Sequence, residues 1–513
     1  MSAASVPTPL PLVDFVRQAR EGADFVLPFS LVLPDAETPL EIRAFLRVLP
    51  GRRYSALADM RAESRRLPVF CKFFLGAEAQ KRWRREERGA KLLAAQNLPT
   101  PRLLLSGFAE GKTPSENVGW LFFEELVAAV PLSLRLNEIL ALPEPEATTA
   151  ARALFRRLVP ALARLHARGL WHGDLHLDNA LEKDGELYWI DGDGVRAEIP
   201  GQPLSARRAR ENTAMLCALF PLRVFLPNDT LVRCLDYYRR VNPVSTARWS
   251  LPALSRALSR QRWVRMRHWL RKIGRECGAF IRQTRGWRGL FGVRILCRAE
   301  EKTLRPLLDN PDEFIARGHL YKDGGASTVA RVEYKGRVLL VKRYNIKNWR
   351  HALSRAWRPS RAWASWRAGH RLMMLGITTA RPLAVIEERF WGLRGRAWMI
   401  AEHLDGEDAL TRFARLADNV VMTSEELAGL KTLLAELSAA RLGHGDLKGQ
   451  NLIWQETARR WALIDLDSLR AHPCSWLAAR AARRDAARFL RDFPKDSPLR
   501  KALAAQYFPR ENL

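Results

Sequence analysis

One phrase occurs twice in this chain, and no other feature limits the fold as much. Leu165–Arg196 reads LHARGLWHGDLHLDNALEKDGELYWIDGDGVR, and Leu437–Arg470 reads LSAARLGHGDLKGQNLIWQETARRWALIDLDSLR. Each has a helical run, then His-Gly-Asp-Leu, an Asn five residues after that Asp, an apolar-aromatic run and Ile-Asp-x-Asp. The likeness continues upstream. Lys72 in PVFCKFFLG and Lys342 in RVLLVKRYN stand on strand-like runs, 100 and 102 residues before His172 and His444. Each lysine is followed by a helical segment, KLLAAQNLPTPRLL or RLMMLGITTARPL, and then by an apolar strand ending in an acid, Glu124 or Glu402. The repeat unit is about 230 to 260 residues, far above the period of any solenoid. The expected organisation is a tandem duplication of a whole domain, with domains over 40–290 and 300–513. Residues 1–39, rich in Pro, form an extension or an extra strand. ALPEPEATTA (141–150) reads as a loop before a helix whose Leu154, Leu158, Ala161, Leu162 and Leu165 keep helical spacing, with Gly169 placed to cap it.

Each copy gathers one lysine, one asparagine and at least two carboxylates. No Ser-His-Asp order and no His/Cys cluster stands out. Oxygen ligands of this kind suit magnesium, and a strand lysine beside magnesium suits the phosphates of a nucleotide. A strand Lys, then HxD-x4-N, then DxD is the series found in kinases.

On these motifs the two halves resemble kinase-fold phosphotransferases of the HGD type. The chain is most similar to the bacterial lipopolysaccharide core kinase family, which phosphorylates Kdo or heptose sugars. The narrower likeness rests on HGDLKGQNLIW, LIDLDSLR and the basic aromatic stretch KRYNIKNWRHALSRAWRPSRAWASWRAGHRL. The resemblance implies an α+β fold of two tandem protein-kinase-like bilobal domains, each with a small β-sheet lobe and a helical lobe, using ATP and Mg2+. It implies that Asp174 and Asp446 accept or orient the acceptor hydroxyl. It implies that Asn179, Asp191, Asn451 and Asp465 hold the metal, and that Lys72 and Lys342 pair with phosphates. Glu86 would hold Lys72, with Glu87 as the alternative. Lys448 would neutralise the transferring phosphoryl group; His176 is its counterpart. Glu124 and Glu402 mark the hinge. His172 and His444 are expected to bond the loop backbone.

Two departures stand out. RRYSALADMRAESRRLP, before Lys72, has no glycine, whereas KDGGASTVARV before Lys342 offers Gly324 and Gly325. No acid lies between Tyr334 and Ile386, so Lys342 lacks a helix partner of the Glu86 kind.

Composition bears on partners. Lys plus Arg number 84 against 55 acids, a formal charge of +29, which favours an anionic partner. Two stretches, 255–298 and 347–371, interleave arginine with Trp263, Trp269, Trp287, Trp349, Trp357, Trp363 and Trp366. They suit an anionic membrane surface or glycolipid, and nucleic acid is not expected. For any one of these tryptophans, packing into a core is the plainer expectation. Six scattered cysteines without a CxxC pair suit a reducing cytoplasm. The N-terminus lacks the pattern of a signal peptide, and no apolar run reaches the roughly 18 residues of a spanning helix. The expected location is cytoplasmic and peripheral, at the inner face of the inner membrane. The expected activity is ATP-dependent phosphorylation of lipopolysaccharide inner-core sugar hydroxyls. A kinase of the same fold with another acceptor, and a non-catalytic scaffold, are the alternatives.

Overall fold

The computed structural model describes residues 9–34, 39–62, 65–226, 229–287, 290–345, 359–390, 393–418, 424–497, 500–501 and 503–504. The chain divides into two compact units. The first comprises Met1–Ile139, Ala153–Leu219 and Arg233–Ala257; the second comprises Leu140–Arg152, Phe220–Val232 and Leu258–Leu513. Both are mixed α+β.

The first unit is built on a seven-stranded sheet of β1 (Leu10–Pro11), β2 (Phe29–Val32), β3 (Leu40–Leu49), β4 (Arg53–Ala62), β5 (Arg65–Leu75), β6 (Leu103–Ala109) and β7 (Val118–Glu124). Their order is β1-β2-β3-β4-β5-β7-β6. Residues 10–32 are therefore part of the sheet: β2 pairs with β3, and α1 (Leu12–Glu21) follows β1. Period-two alternation places the lysine. Val69, Cys71, Phe73 and Leu75 enter an aromatic core with Phe15 and Tyr54, so Phe70, Lys72 and Phe74 face the other way. That face is covered by α2 (Ala79–Ala95), which buries Glu86, Gly89, Ala90 and Leu93 at helical spacing.

The second unit repeats the plan. Its strands are β8 (Phe280–Trp287), β9 (Leu290–Cys297), β10 (His319–Lys322), β11 (Ser327–Tyr334), β12 (Arg337–Tyr344), β13 (Pro382–Phe390) and β14 (Leu393–Glu402), in the order β8-β9-β13-β14-β12-β11-β10. The five-strand order β3-β4-β5-β7-β6 recurs as β10-β11-β12-β14-β13, with the lysine strand at the centre each time. The first unit extends this set beyond β3 with β2 and β1. The second extends it at the opposite edge with the β9–β8 hairpin. The helix over the lysine face is here α3 (Arg361–Leu375).

The basic aromatic stretches resolve unevenly. Trp366 is fully buried, and Trp269 and Trp363 pack against the same cluster with Phe280. Trp263 is 58% exposed, with Arg267 over its ring. Trp349 and Trp357 lie outside the described residues, as does the side chain of Trp287.

Within the second unit, Arg223 carries two carboxylates. Its Nε lies 2.8 Å from Glu144, its Nη1 lies 3.6 Å from Glu436, and it also donates to the Gly376 carbonyl. Arg223, shared in this way, does not offset the desolvation of Glu436, even with Arg460 acting in the same sense. Burial pushes that carboxyl up to about 7, with Glu144 adding to the rise and Arg223 opposing it. The folded protein thus holds a proton that the unfolded chain releases near its ordinary value of 4.5. This contribution to stability is complete below the unfolded value and is lost as the pH rises through about 7. Glu436→Gln should remove up to about 3 kcal/mol of that pH-dependent loss. Urea unfolding at pH 5 and pH 8 tests this; an unchanged pH dependence would refute it.

Candidate active site

In the first unit three elements meet at Lys72. Its Nζ is bonded to Glu86 from α2 and lies 3.1 Å from Asp191 Oδ1. Glu86 is the partner; Glu87 instead accepts from Lys91 and Ser106, each at 2.8 Å. Glu86 also accepts from the Gly192 and Asp193 amides at 3.0 and 3.4 Å. Burial drives the Glu86 carboxyl upward, Lys72 opposes this, and the balance stays raised. At Asp191 burial acts in the same sense, but Lys72 and Arg53 outweigh it and hold the carboxyl well below the usual range. Arg53 was not foreseen. It stands at the start of β4, with Nη2 3.6 Å from Asp191. The turn before it, Pro50-Gly51-Arg52, supplies the glycine that the residues after Arg52 lack, and Gly51 has φ +63°. A cleft of about 820 Å³ opens here, lined by Arg53, Leu57, Lys72, Phe123, Asn179 and Asp191 among others.

The HGD loop sits at the other end of the same site. His172 is buried, its Nε2 3.3 Å from the Ile190 carbonyl, and Gly194 lies against the ring, where a Cβ would stand 2.2 Å from Cε1. The loop is anchored by Asn212, which donates to the His172 carbonyl at 2.8 Å and accepts from His166 at 2.9 Å. Asp174 is exposed, with His176 Nε2 2.9 Å away. Asn179 donates its amide to the Asp174 carbonyl at 2.8 Å. That leaves its oxygen as the atom for a cation, beside Asp191, and the pair fits a hard metal such as magnesium. Among the described residues no group of three or more His, Cys, Asp or Glu forms a metal cluster.

The second unit keeps the frame and changes the partners. Lys342 Nζ lies 2.5 Å from Asp465. Burial lowers its affinity for the proton, but Tyr344 and Asp465 overcome this, and its pKa is raised. No carboxylate from α3 reaches it. The buried Ser365 hydroxyl instead meets the Tyr344 hydroxyl at 2.8 Å, and Arg361 of α3 holds Asp467 at 2.5 Å. Asn451 donates to the Asp446 carbonyl at 2.8 Å, and His444 Nε2 is 3.0 Å from the Ile464 carbonyl. Asp485 accepts from the His444 and Gly445 amides at 2.6 and 2.9 Å. Asp446 lies 3.4 Å from Lys448 and 2.5 Å from Arg488. Gly324 and Gly325 occupy the turn before β11 with φ +81° and +61°. Glu124 and Glu402 end β7 and β14 and pair with arginines, Arg102 at 3.9 Å and Arg337 at 3.1 Å.

Asn212, Asp485 and Arg488 were missed by sequence reasoning. A signal existed: Asn212 lies 21 residues after Asp191 and Asp485 lies 20 after Asp465, each on the helix that follows the DxD phrase. Asp191 and Asp465 both adopt left-handed backbone, with φ of 64° and 55°.

Residues 315–507 match the model of the Lipopolysaccharide kinase (Kdo/WaaP) family. No curated protein matches the chain. Among solved structures, WaaP in complex with acyl carrier protein is 18% identical, covering 44% of this chain and 89% of that one, with a TM-score of 0.32. The PknI kinase domain of Mycobacterium tuberculosis is 15% identical over 43% and 95%, TM-score 0.27. The Cydia pomonella granulovirus kinase PK-1 is 18% identical over 31% and 52%, TM-score 0.23. Over residues 315–507 the family expected from the motifs is the family matched, and the expectation of an ATP-dependent kinase stands with it.

The approach of α2 to the DxD turn is the tightest in the first unit. A Cβ on Gly89 would lie 1.9 Å from the Gly192 carbonyl oxygen. Helix propensity favours alanine there by about 1 kcal/mol, yet backbone on one side and helix on the other leave nothing free to give way. Gly89→Ala should therefore lower stability by about 1–3 kcal/mol and weaken nucleotide binding by displacing Asp191. Denaturant unfolding with ATP titration checks both; a variant as stable as the parent would contradict the packing argument.

Proposed function

We propose that the chain is a tandem pair of kinase-like domains that transfers the γ-phosphoryl group of ATP to a hydroxyl on a lipopolysaccharide inner-core sugar. The observation that carries this is the convergence of Lys342, Asp465, Asn451 and Asp446 within the stretch matched by the lipopolysaccharide kinase family. The equivalent set in the first unit, and the five-strand order common to both sheets, support the duplication.

The lysines and the acidic loops divide the work. Lys342, and Lys72 in the first unit, neutralise and place the phosphates. Asp446, and Asp174 in the first unit, orient the acceptor hydroxyl and take its proton as its oxygen bonds to the γ-phosphorus. The bond from that phosphorus to the β–γ bridging oxygen breaks, leaving ADP and a sugar phosphate. Magnesium, held by Asn451 and Asp465 or by Asn179 and Asp191, supplies charge neutralisation across the phosphates when bound. Most of the rate gain comes from positioning and electrostatics. Lys448 stands beside Asp446, where it can offset the charge of the moving phosphoryl group.

The location belongs to the same proposal. Among the described residues no helix is long and apolar enough to cross a membrane. The basic helix Leu251–Lys272 exposes Trp263, which suits contact with an anionic cytoplasmic membrane surface.

Transfer of label from γ-labelled ATP to lipopolysaccharide extracted from cells lacking the protein tests the activity. The intact chain should label the glycolipid. Asp446→Asn should lower the rate by about 10²- to 10⁴-fold, and Asp174→Asn reports whether the first unit adds its own share. Absence of labelling by the intact chain, or labelling indifferent to both substitutions, would overturn the proposal.

A further inference from the structure

Beside Asp446 lies a second cavity of about 550 Å³, lined by Arg470, His472, Arg484, Asp485, Arg488 and Arg491 together with small residues of the HGD loop. None of these side chains carries a role in the mechanism above. Four arginines face this space against one lining carboxylate, and that carboxylate is already spent: Asp485 accepts from the His444 and Gly445 amides. Among the described residues, the side chains of Arg470, Arg484 and Arg491 make no ion pair or hydrogen bond. Arg488 reaches out of the pocket to Asp446 at 2.5 Å, and its Nε is buried without a partner.

Local structure explains the clustering. Arg484 and Arg488 lie one turn apart on the helix Ser475–Leu490, Arg491 follows it, and Arg470 comes from the short strand paired with Leu442–Gly443. The same helix turns Asp485 toward the loop. The anchor of the HGD loop, Asp485, and two arginines of the basic wall, Arg484 and Arg488, therefore share one helix, which sets that part of the wall beside Asp446. Arg470, Arg484 and Arg491 are exposed and Arg488 is half-buried, and like charges lining one cavity repel unless anionic oxygens arrive. Planar donors of this kind bind phosphate or carboxylate in bidentate fashion.

We infer that this pocket binds an anionic substituent, phosphate or carboxylate, carried by the acceptor sugar close to the hydroxyl that Asp446 receives. The inference rests on the kinase reading of the second unit and adds what its acceptor must carry. Arg488 links the two functions. In the absence of acceptor it neutralises Asp446, and an incoming anion competes for the same guanidinium, freeing the carboxylate as the hydroxyl arrives. The first unit lacks the equivalent pairing: its Asp174 is met by His176. The two units would thus differ in the acceptors they tolerate.

The test uses the intact chain, Arg484→Gln/Arg491→Gln, and a control pair, Arg480→Gln/Arg483→Gln, which removes the same charge from the same helix outside the pocket. With lipopolysaccharide as acceptor, the pocket pair should raise the acceptor KM by about tenfold per arginine removed while leaving the KM for ATP unchanged; the control pair should change neither. Independently of transfer, saturation-transfer NMR with glucose 6-phosphate, glucuronate and glucose reads the site directly. Binding of the phosphate or the carboxylate sugar, absent for glucose, lost in the pocket pair and kept in the control, is the expected result and shows which anion the pocket prefers. If lipopolysaccharide takes no label but an anionic sugar binds in this pattern, the acceptor assignment fails and the anion pocket stands. If neither anionic sugar binds, or binding survives in the pocket pair, the inference is overturned.

Discussion

The buried lysine of the first unit ties its sheet, its helix and its acidic loop into one object. Lys72 is 5% exposed and Glu86 1% exposed, and taking such groups out of water is worthwhile only with close partners and satisfied hydrogen bonds. Glu86 meets that condition three ways, through Lys72, the Gly192 amide and the Asp193 amide. Each bond demands a position. Lys72 must be on the face of β5 opposite the aromatic core, Glu86 must be one helical turn from Ala90, and the chain after Asp191 must run close to α2. The last demand explains Gly89 and Gly192, whose backbones are too near for any side chain, and it accompanies the left-handed conformation of Asp191. The 820 Å³ cleft is what remains open once these constraints are met.

Much of this was legible in the residues. The HGDL and IDxD phrases carry their own spacing, the strand lysines stand at matched distances before them, and Glu86 could be singled out because it shares a helical face with Ala90 and Leu93. What stayed hidden was long-range pairing. Arg53 and Gly51 gain meaning only when β3 and β4 fold over the cleft, because nothing local in LPGRRYS marks a contact with Asp191. Asn212 and Asp485 are ordinary polar residues on arginine-rich helices, and only their equal distance from the DxD phrase, seen in both copies, could have raised them. Residues 10–32 contribute strands too short for periodicity to reveal. The tryptophans illustrate the converse. In sequence they fall in two similar basic aromatic stretches, yet Trp366, Trp363 and Trp269 pack with Phe280 while Trp263 is exposed, a split set by helix phase rather than composition.

The two HGD-loop carboxylates stand in different fields. Asp174 faces solvent beside an imidazole, whereas Asp446 is flanked by a primary amine and a guanidinium. The two loops differ beside this carboxylate, while the anchors beneath them, Asn212 and Asp485, hold the loop backbone with different chemistry.

The missing helix glutamate of the second unit need not mark decay, because its loss is matched by another. Strand register sets Arg53 opposite Phe74 and Ser327 opposite Tyr344, so Ser327 occupies the position of Arg53. Around the first DxD carboxylate, the first unit assembles two cations, Lys72 and Arg53, with two acids, Glu86 and Asp191. The second pairs Lys342 with Asp465 and sets Arg361, paired with Asp467, close enough to act on Asp465. Removing Glu86 alone would leave an uncompensated buried cation, and removing Arg53 alone an uncompensated acid, either of which is costly. Removing both leaves the charge balance unchanged, and beside Lys342 the Tyr344 hydroxyl meets Ser365 of α3. The shifts agree with this balance: the Lys342 pKa is raised and the Asp465 pKa lowered, so both remain charged despite their burial.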